Sequence, residues 1–484
     1  MIFDVFQETC GQHPHAEAVV DGARRVSFAE LATKVESLAT TLRDRWGLGP
    51  GAHVVIHLAN STEFVATFFA LMRQGSVAVL VNTRWKEREL QEALAGIPVR
   101  GVVTSRELAG VWERAPGDPS FTLVIEDCEA PPATARANAR PKADASVGAR
   151  PAVILCTSGT TGAPKRVVRS QQGLLANAAN VASAIALGPS ARVLSVVPFH
   201  HANGFSNCLL APLLHGGTLC SMKRFDPHEA AALVERERIG FLLGSPFIFS
   251  QLLPIGGRPL ACVHTALSSG APLPLEVARR CRDQLGLRVR QLFGSSETGT
   301  IAIQADADGA PEGCLGRPLS GIEVRLLDTD RAPLPRGAIG EIAIRSPALM
   351  SGYFTPEGPS RAGFSEGFFC TGDLGCLDEQ GRLLLRGRAK RLINAGGVKL
   401  DPDEIAQVIR QRPEVVDCVV YGVPHPVQTE VVAATVQVAT GAALDRGGLI
   451  RHCRQLLAEY KIPRHLVLTT EPLASPHEKT LAVM

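Results

Sequence analysis

The chain of 484 residues carries 50 basic and 47 acidic side chains, for a formal net charge of +3. So even a balance leaves no electrostatic footprint for nucleic acid or an anionic membrane. Hydrophobic residues at 45% and charged residues at 20% describe a globular protein with real cores, long enough for about three domains or for a large α/β unit and a small one. Only nine of the basic residues are Lys, leaving 41 Arg. A Lys inside a motif of such a chain points to a compact, single-point ammonium, although a composition bias of the source would give the same excess. The 12 Cys have irregular spacing, with no C-x-x-C pair and no zinc-like cluster, which reads as free thiols in a reducing compartment. The first residues, MIFDVFQETCGQHPH, lack a basic stretch followed by an apolar one, and no run of 18 apolar residues occurs. A cytoplasmic protein without integral membrane association is expected.

In chain order, SFAELATKVESLATTLRDRWG reads as a helix capped by Ser27, with Glu30 completing a capping box. HVVIHLAN and SVAVLVN read as short buried strands around a helix in STEFVATFFALMRQG. This is the rhythm of a doubly wound α/β sheet. The stretch 129–150, rich in Ala, Pro and Arg, reads as an exposed connection. A second α/β stretch runs to Gly299, followed by β-rich pieces IEVRLLD, GEIAIRS and RLLLRGR. Beyond Lys390 a new pattern begins: helix DPDEIAQVIRQRP, strands VVDCVVYGV and EVVAATVQV, helix DRGGLIRHCRQLLAEY. We therefore expect an α/β domain over 1–389, with a β-rich subdomain, and a small, mobile α+β domain over 390–484.

The strongest chemical signal is TSGTTGAPK, Thr157 to Lys165, between an apolar strand and a helix starting near Ser170. Its Gly, Thr and Ser residues make a loop whose N–H groups and hydroxyls can converge on phosphate oxygens, with Lys165 as counter-charge. It lacks the Walker pattern G-x-x-x-x-G-K-[ST], so it is a cradle of another type. This segment resembles the phosphate-binding signature of the adenylate-forming superfamily, which includes acyl-CoA synthetases, peptide-synthetase adenylation domains and firefly luciferase.

The resemblance continues in order down essentially the whole chain. By it, Thr157, Ser158, Gly159, Thr160, Thr161, Gly162 and Lys165 hold the ATP phosphates, and Thr160 takes part in catalysis. FGSSETG is similar to the aromatic-Gly-x-[ST]-Glu segment: Phe293 lies against adenine beside Gly294 and Ser295, Ser296 contacts the α-phosphate, and Glu297 holds Mg²⁺. A hard cation bridging phosphates does want a carboxylate, and an aromatic face suits a purine. TGDL supplies Asp373 for the ribose hydroxyls, a role suited to a double acceptor. In GRAKRLINAGGV, Arg388 assists at the ribose, Lys390 is the hinge, and Gly396 and Gly397 line the thiol tunnel. Near the C-terminus Lys479 maps to the Lys bridging carboxylate and α-phosphate, although Glu478 stands where relatives carry Gly and Arg166 replaces the Gly after the loop Lys.

PFHHANG resembles the acid-site segment, with His201 near the acyl carboxylate. Gly204, Asn203, Asn207, Ser268, Ser269, Gly270 and Gly294 are expected around the acyl pocket. FHHANGFSN offers no carboxylate for an α-ammonium, so a fatty or aromatic acid without an α-amine is implied. The implied reaction is ATP-dependent formation of acyl-AMP and transfer to a pantetheine thiol, CoA first among them. A ligase loading a separate acyl-carrier protein, a non-catalytic binding protein and a luciferase-like oxidase stay open, as does the oligomeric state.

Overall fold

The computed structural model describes residues 1–113, 119–127, 148–157, 164–256, 260–305, 310–311, 313–388, 393–439 and 441–471. These form two compact units: Met1–Thr83, Gly96–Thr157 and Arg166–Lys390 make the first, and Arg84–Ala95, Ser158–Lys165 and Arg391–Met484 the second.

The first unit is built on two sheets. In the smaller, of seven strands, His53–His57, Val77–Leu80, Val99–Thr104, Thr122–Val124 and Pro151–Thr157 run parallel. Central strands such as Val77–Leu80 are buried on both faces, which is why they read as unbroken apolar runs rather than alternating ones. Helix Phe28–Trp46 begins as the sequence predicts: the Glu30 N–H donates to the Ser27 hydroxyl at 3.2 Å, and the Ser27 N–H donates to the Glu30 carboxylate at 2.8 Å. Helix Thr62–Gln74, uncharged from Phe64 to Met72, buries that whole stretch.

The larger sheet has 14 strands. Glu17–Asp21, Thr218–Ser221, Arg192–Ser195, Phe241–Gly244, Thr265–Ser268 and Val289–Ser295 form its parallel half. At Val289–Ser295 the direction changes: the chain reverses through residues 296–298 into Gly299–Ile303, and the pairing is antiparallel from there. The β-rich pieces that the sequence separates from the α/β stretch are thus hydrogen-bonded into the same sheet. Among the described residues the apolar faces of the first unit pack into one large cluster and several smaller ones.

The second unit is α+β. Strands Val415–His425 and Thr429–Val438 form a hairpin, joined by Ile393–Ala395, Val398–Leu400 and His465–Thr469. Helices Pro402–Ile409 and Arg446–Leu456 share its core. The segment 84–95, far away in sequence, belongs to this unit through a buried ion cluster. The Lys461 ammonium donates to Glu89 and to Glu404, each at 2.6 Å, with all three side chains nearly sealed from solvent. Burial alone would lower that ammonium's pKa, but the charges of Glu404 and Glu89 outweigh it and hold it above its ordinary range.

Candidate active site

Phe293, Gly294, Ser295, Ser296 and Glu297 lie where the larger sheet changes direction. The turn 296–298 is built from its own side chains. Ser295 Oγ accepts the N–H groups of Glu297 and Thr298, both at 3.2 Å, and the Thr298 hydroxyl accepts the Ser295 N–H at 3.0 Å. Ser295 is therefore engaged in shaping the turn. Gly294 is fixed by a close approach: a Cβ there would lie 2.2 Å from the Gly299 carbonyl oxygen, so no side chain fits. Phe293 and Ser296 are half-buried beside it, and Phe293 packs on the cluster around Ile301 and Leu384.

Glu297 is half-buried and held at both ends. Its carbonyl accepts the Met350 N–H at 2.7 Å, and its carboxylate accepts the Tyr353 hydroxyl at 3.0 Å. Burial and the Glu297 charge push the Tyr353 phenol far above its usual range, so it stays a donor. Behind the turn Arg169 is fully buried, donating to the carbonyls of Ser296 at 2.9 Å and Ala348 at 2.8 Å. Burial pulls its guanidinium down to about 10, which leaves it charged at neutral pH, facing Glu297. Neither Arg169 nor Tyr353 stands out from the sequence as a site residue. The one available signal was an Arg in a strand position directly after Val167 and Val168, where an apolar residue belongs.

On the same sheet Asp373 is buried in strand Phe368–Leu377, in register with Arg388 of the neighbouring strand Leu383–Arg388. Its N–H donates to the Thr371 hydroxyl at 3.1 Å, and that hydroxyl donates to the Ile342 carbonyl at 2.8 Å. TGDL is thus a strand segment whose Asp is held by its own motif. Thr157 ends strand Pro151–Thr157, and Lys165, half-buried, begins Lys165–Ser170. Ser158, Gly159, Thr160, Thr161 and Gly162 lie outside the described residues, as do Lys390, Lys479 and the side chain of Arg388.

The acid-site segment leads into a seven-residue π-helix, Gly204–Leu210, an element found mostly at functional sites. Asn60, buried and not foreseen, clamps the chain before it: its amide donates to the Val197 carbonyl at 2.9 Å and accepts the Phe199 N–H at 2.7 Å. His200 and His201 follow with ring centroids 4.4 Å apart, His201 being the more exposed. Gly204 again answers a close approach, since a Cβ would meet the Pro198 carbonyl oxygen at 2.3 Å.

Asn207 is buried, and its amide is engaged: Oδ1 accepts from Asn177 at 3.0 Å and from the Thr300 hydroxyl at 3.2 Å, while Nδ2 donates to Asn203 at 2.9 Å. The Thr300 N–H donates to Asn177 Oδ1 at 2.7 Å. These bonds tie the acid-site segment to the strand leaving the Glu297 turn. Ser268 and Ser269 are buried at the end of strand Thr265–Ser268, next to Gly270, and the Ser268 hydroxyl has no partner among the described residues. In the second unit the Gly396 N–H donates to the Gln428 carbonyl at 2.7 Å and the Gly397 N–H to Asn394 at 3.1 Å.

Among the described residues no three His, Cys, Asp or Glu side chains form a metal cage. A single half-buried carboxylate suits Mg²⁺, which keeps waters and is held by one or two carboxylates together with substrate phosphates. No helix among the described residues is long and apolar enough to cross a membrane.

The chain resembles known proteins over nearly its whole length. Residues 6–354 match the AMP-binding enzyme family, and residues 404–477 match the AMP-binding enzyme C-terminal domain. A sulfoacetate–CoA ligase from Cupriavidus necator is 32% identical over 474 residues, covering 95% of this chain and 92% of its own length. A feruloyl-CoA synthase from an Amycolatopsis species is 32% identical over 471 residues, covering 94% and 92%. The o-succinylbenzoate CoA synthetase of Bacillus subtilis, solved with a product analogue, superimposes with a TM-score of 0.86 at 25% identity, covering 97% of this chain and 95% of its own. The chain belongs to the family of AMP-binding enzymes and is an AMP-forming acid–thiol ligase of the acyl-CoA synthetase type.

Proposed function

We propose that the protein converts a carboxylic acid without an α-amine to its acyl-adenylate and passes the acyl group to the thiol of CoA. The observation carrying this reading is the Glu297 turn: a carboxylate fixed by Tyr353 and Met350, one strand from the Asn207 relay of the acid-site segment. The acid carboxylate attacks the α-phosphorus of ATP and pyrophosphate leaves. The thiol then attacks the acyl carbon, AMP departs, and the thiol proton passes to solvent.

Glu297 holds Mg²⁺, which neutralises phosphate charge when bound. Phe293 takes the adenine face and Ser296 the α-phosphate, while Asp373 and Arg388 hold the ribose. The loop Thr157–Lys165 cradles the β- and γ-phosphates, and Lys479 bridges the reacting oxygens during adenylation. His201 and Asn203 lie toward the acyl carboxylate, and Ser268, Ser269, Gly270 and Gly294 bound the acyl group. The hinge lies at Lys390, with Gly396 and Gly397 along the path of the thiol. No protein nucleophile is required, since alignment and charge stabilisation carry both steps.

The test is mass spectrometry of acyl-AMP and acyl-CoA after incubation with ATP, Mg²⁺, CoA and a panel of fatty, aromatic and sulfonated acids. Acyl-CoA from one class, lost in Lys479→Ala only when the reaction starts from free acid, supports the two-step reading. Acyl-AMP accumulating without acyl-CoA transfers the acceptor role to a separate acyl-carrier protein. Neither product from any acid refutes the reading.

A further inference from the structure

Arg169 heads the fully buried large side chains of the protein at 0% exposure. Burying a guanidinium is costly unless its donors and charge are answered. Here both terminal nitrogens bond backbone carbonyls, and Nε has no partner among the described residues. A packing role would be filled more cheaply by Leu or Met, so the carbonyls it grips and the charge it faces are the informative features.

One of those carbonyls belongs to Ser296, so the guanidinium fixes the peptide plane entering Glu297. The Met350 N–H fixes the plane leaving it. Tyr353 then orients the side chain through its hydroxyl. Arg169 lies in strand Lys165–Ser170, and Tyr353 lies in the short strand paired with it, opposite Val167. The strand that leaves the phosphate loop thus carries one strut for the backbone of Glu297 and, through its neighbour, one for its carboxylate.

We propose that Arg169 and Tyr353 are positioning residues that hold the Glu297 carboxylate ready for the Mg²⁺ arriving with ATP. The inference rests on the reading of Glu297 as the metal-holding group. The phenol engages one carboxylate oxygen, which would leave the other for the metal. The Arg169 charge opposes any drift of the turn away from the sheet.

The test is calorimetric titration of the full-length protein with ATP, once with Mg²⁺ and once with EDTA. The ratio of the two dissociation constants reports the metal's contribution without turnover. Glu297→Gln sets the floor for that ratio. Tyr353→Phe keeps the ring and removes one hydroxyl, and it should cut the ratio about tenfold, as expected for a lost hydrogen bond to a charged group. Arg169→Met should do the same, and Arg169→Lys should recover part of the loss, with binding in EDTA unchanged in each.

An unchanged ratio in folded Tyr353→Phe and Arg169→Lys overturns the proposal. So does a loss of equal size with and without Mg²⁺, which is what a merely structural role would give. A wild-type protein whose ATP binding ignores Mg²⁺ overturns the metal reading of Glu297 itself. Arg169→Met can fail to fold without weakening the test, because Tyr353→Phe stands alone.

Discussion

Lys461→Met removes the cation that holds residues 84–95 in the second unit. The ammonium sits 2.6 Å from both Glu89 and Glu404, whose side chains are 2% and 6% exposed. Met fills a similar volume, so packing is nearly conserved while two buried carboxylates lose their counter-ion. Breaking a buried pair from one side costs about 3–5 kcal/mol. Against a typical domain stability of roughly 5–15 kcal/mol, that is at least about a fifth of the total. In a unit of this size it should lower the melting temperature by roughly 15 °C or more.

Glu89→Gln leaves the Lys461–Glu404 pair intact and should cost less, about 1–3 kcal/mol. The triple variant Lys461→Met, Glu89→Gln, Glu404→Gln should recover part of the loss. Urea unfolding gives the magnitudes, and hydrogen exchange of peptides from 84–95 locates the change. A loss below about 1 kcal/mol in Lys461→Met, or protection of 84–95 left intact, refutes the reasoning.

Other consequences are simpler to check. His57 is buried with its Nδ1 accepting the Trp112 indole N–H at 3.0 Å, and burial lowers its pKa from 6.5 to about 4. The unfolded chain takes up that proton first, so the contribution is complete above pH 6.5 and is lost as pH falls toward 4, by about 3 kcal/mol. Urea midpoints across that window should fall more steeply in wild type than in His57→Phe. Gly294→Ala puts a Cβ 2.2 Å from the Gly299 oxygen, and backbone cannot yield cheaply. Adenylate formation should drop by roughly 10²-fold or more, read by acyl-AMP mass spectrometry. Among the described cysteines only Cys262 is not buried, and burial raises Cys10, Cys156, Cys208, Cys220 and Cys281 to about 12. Iodoacetamide at neutral pH should therefore label Cys262 before the others, as peptide mapping will show.

Local features were legible in the sequence. Ser27 and Glu30 announce a helix start because a capping box is closed within four residues. The Glu297 turn is equally local, since Gly294, Ser295 and Thr298 build it from their own atoms. What escaped is made of pairs distant in sequence. Arg169 meets Ser296 and Ala348, 127 and 179 residues away, and Lys461 meets Glu89 across 372. Nothing within a window around Arg169 says that two carbonyls wait for it. The β-rich pieces were legible as strands from their alternating pattern, but the pattern does not say which sheet they extend.

The amides between Thr300 and Asn203 have a direction. The Thr300 backbone N–H can only donate, so the Asn177 group facing it must be the oxygen. Asn177 then turns its NH₂ to the oxygen of Asn207, and Asn207 turns its own NH₂ to the oxygen of Asn203. One main-chain proton thereby sets the orientation of three side chains in series, and the last, half-exposed member is left with NH₂ as its unspent group. The wire therefore ends on a donor, complementary to an oxygen-rich guest such as a carboxylate and mismatched to an ammonium. Asn207→Asp, which cannot donate, would break the series at its second link and free Asn203 to turn either way.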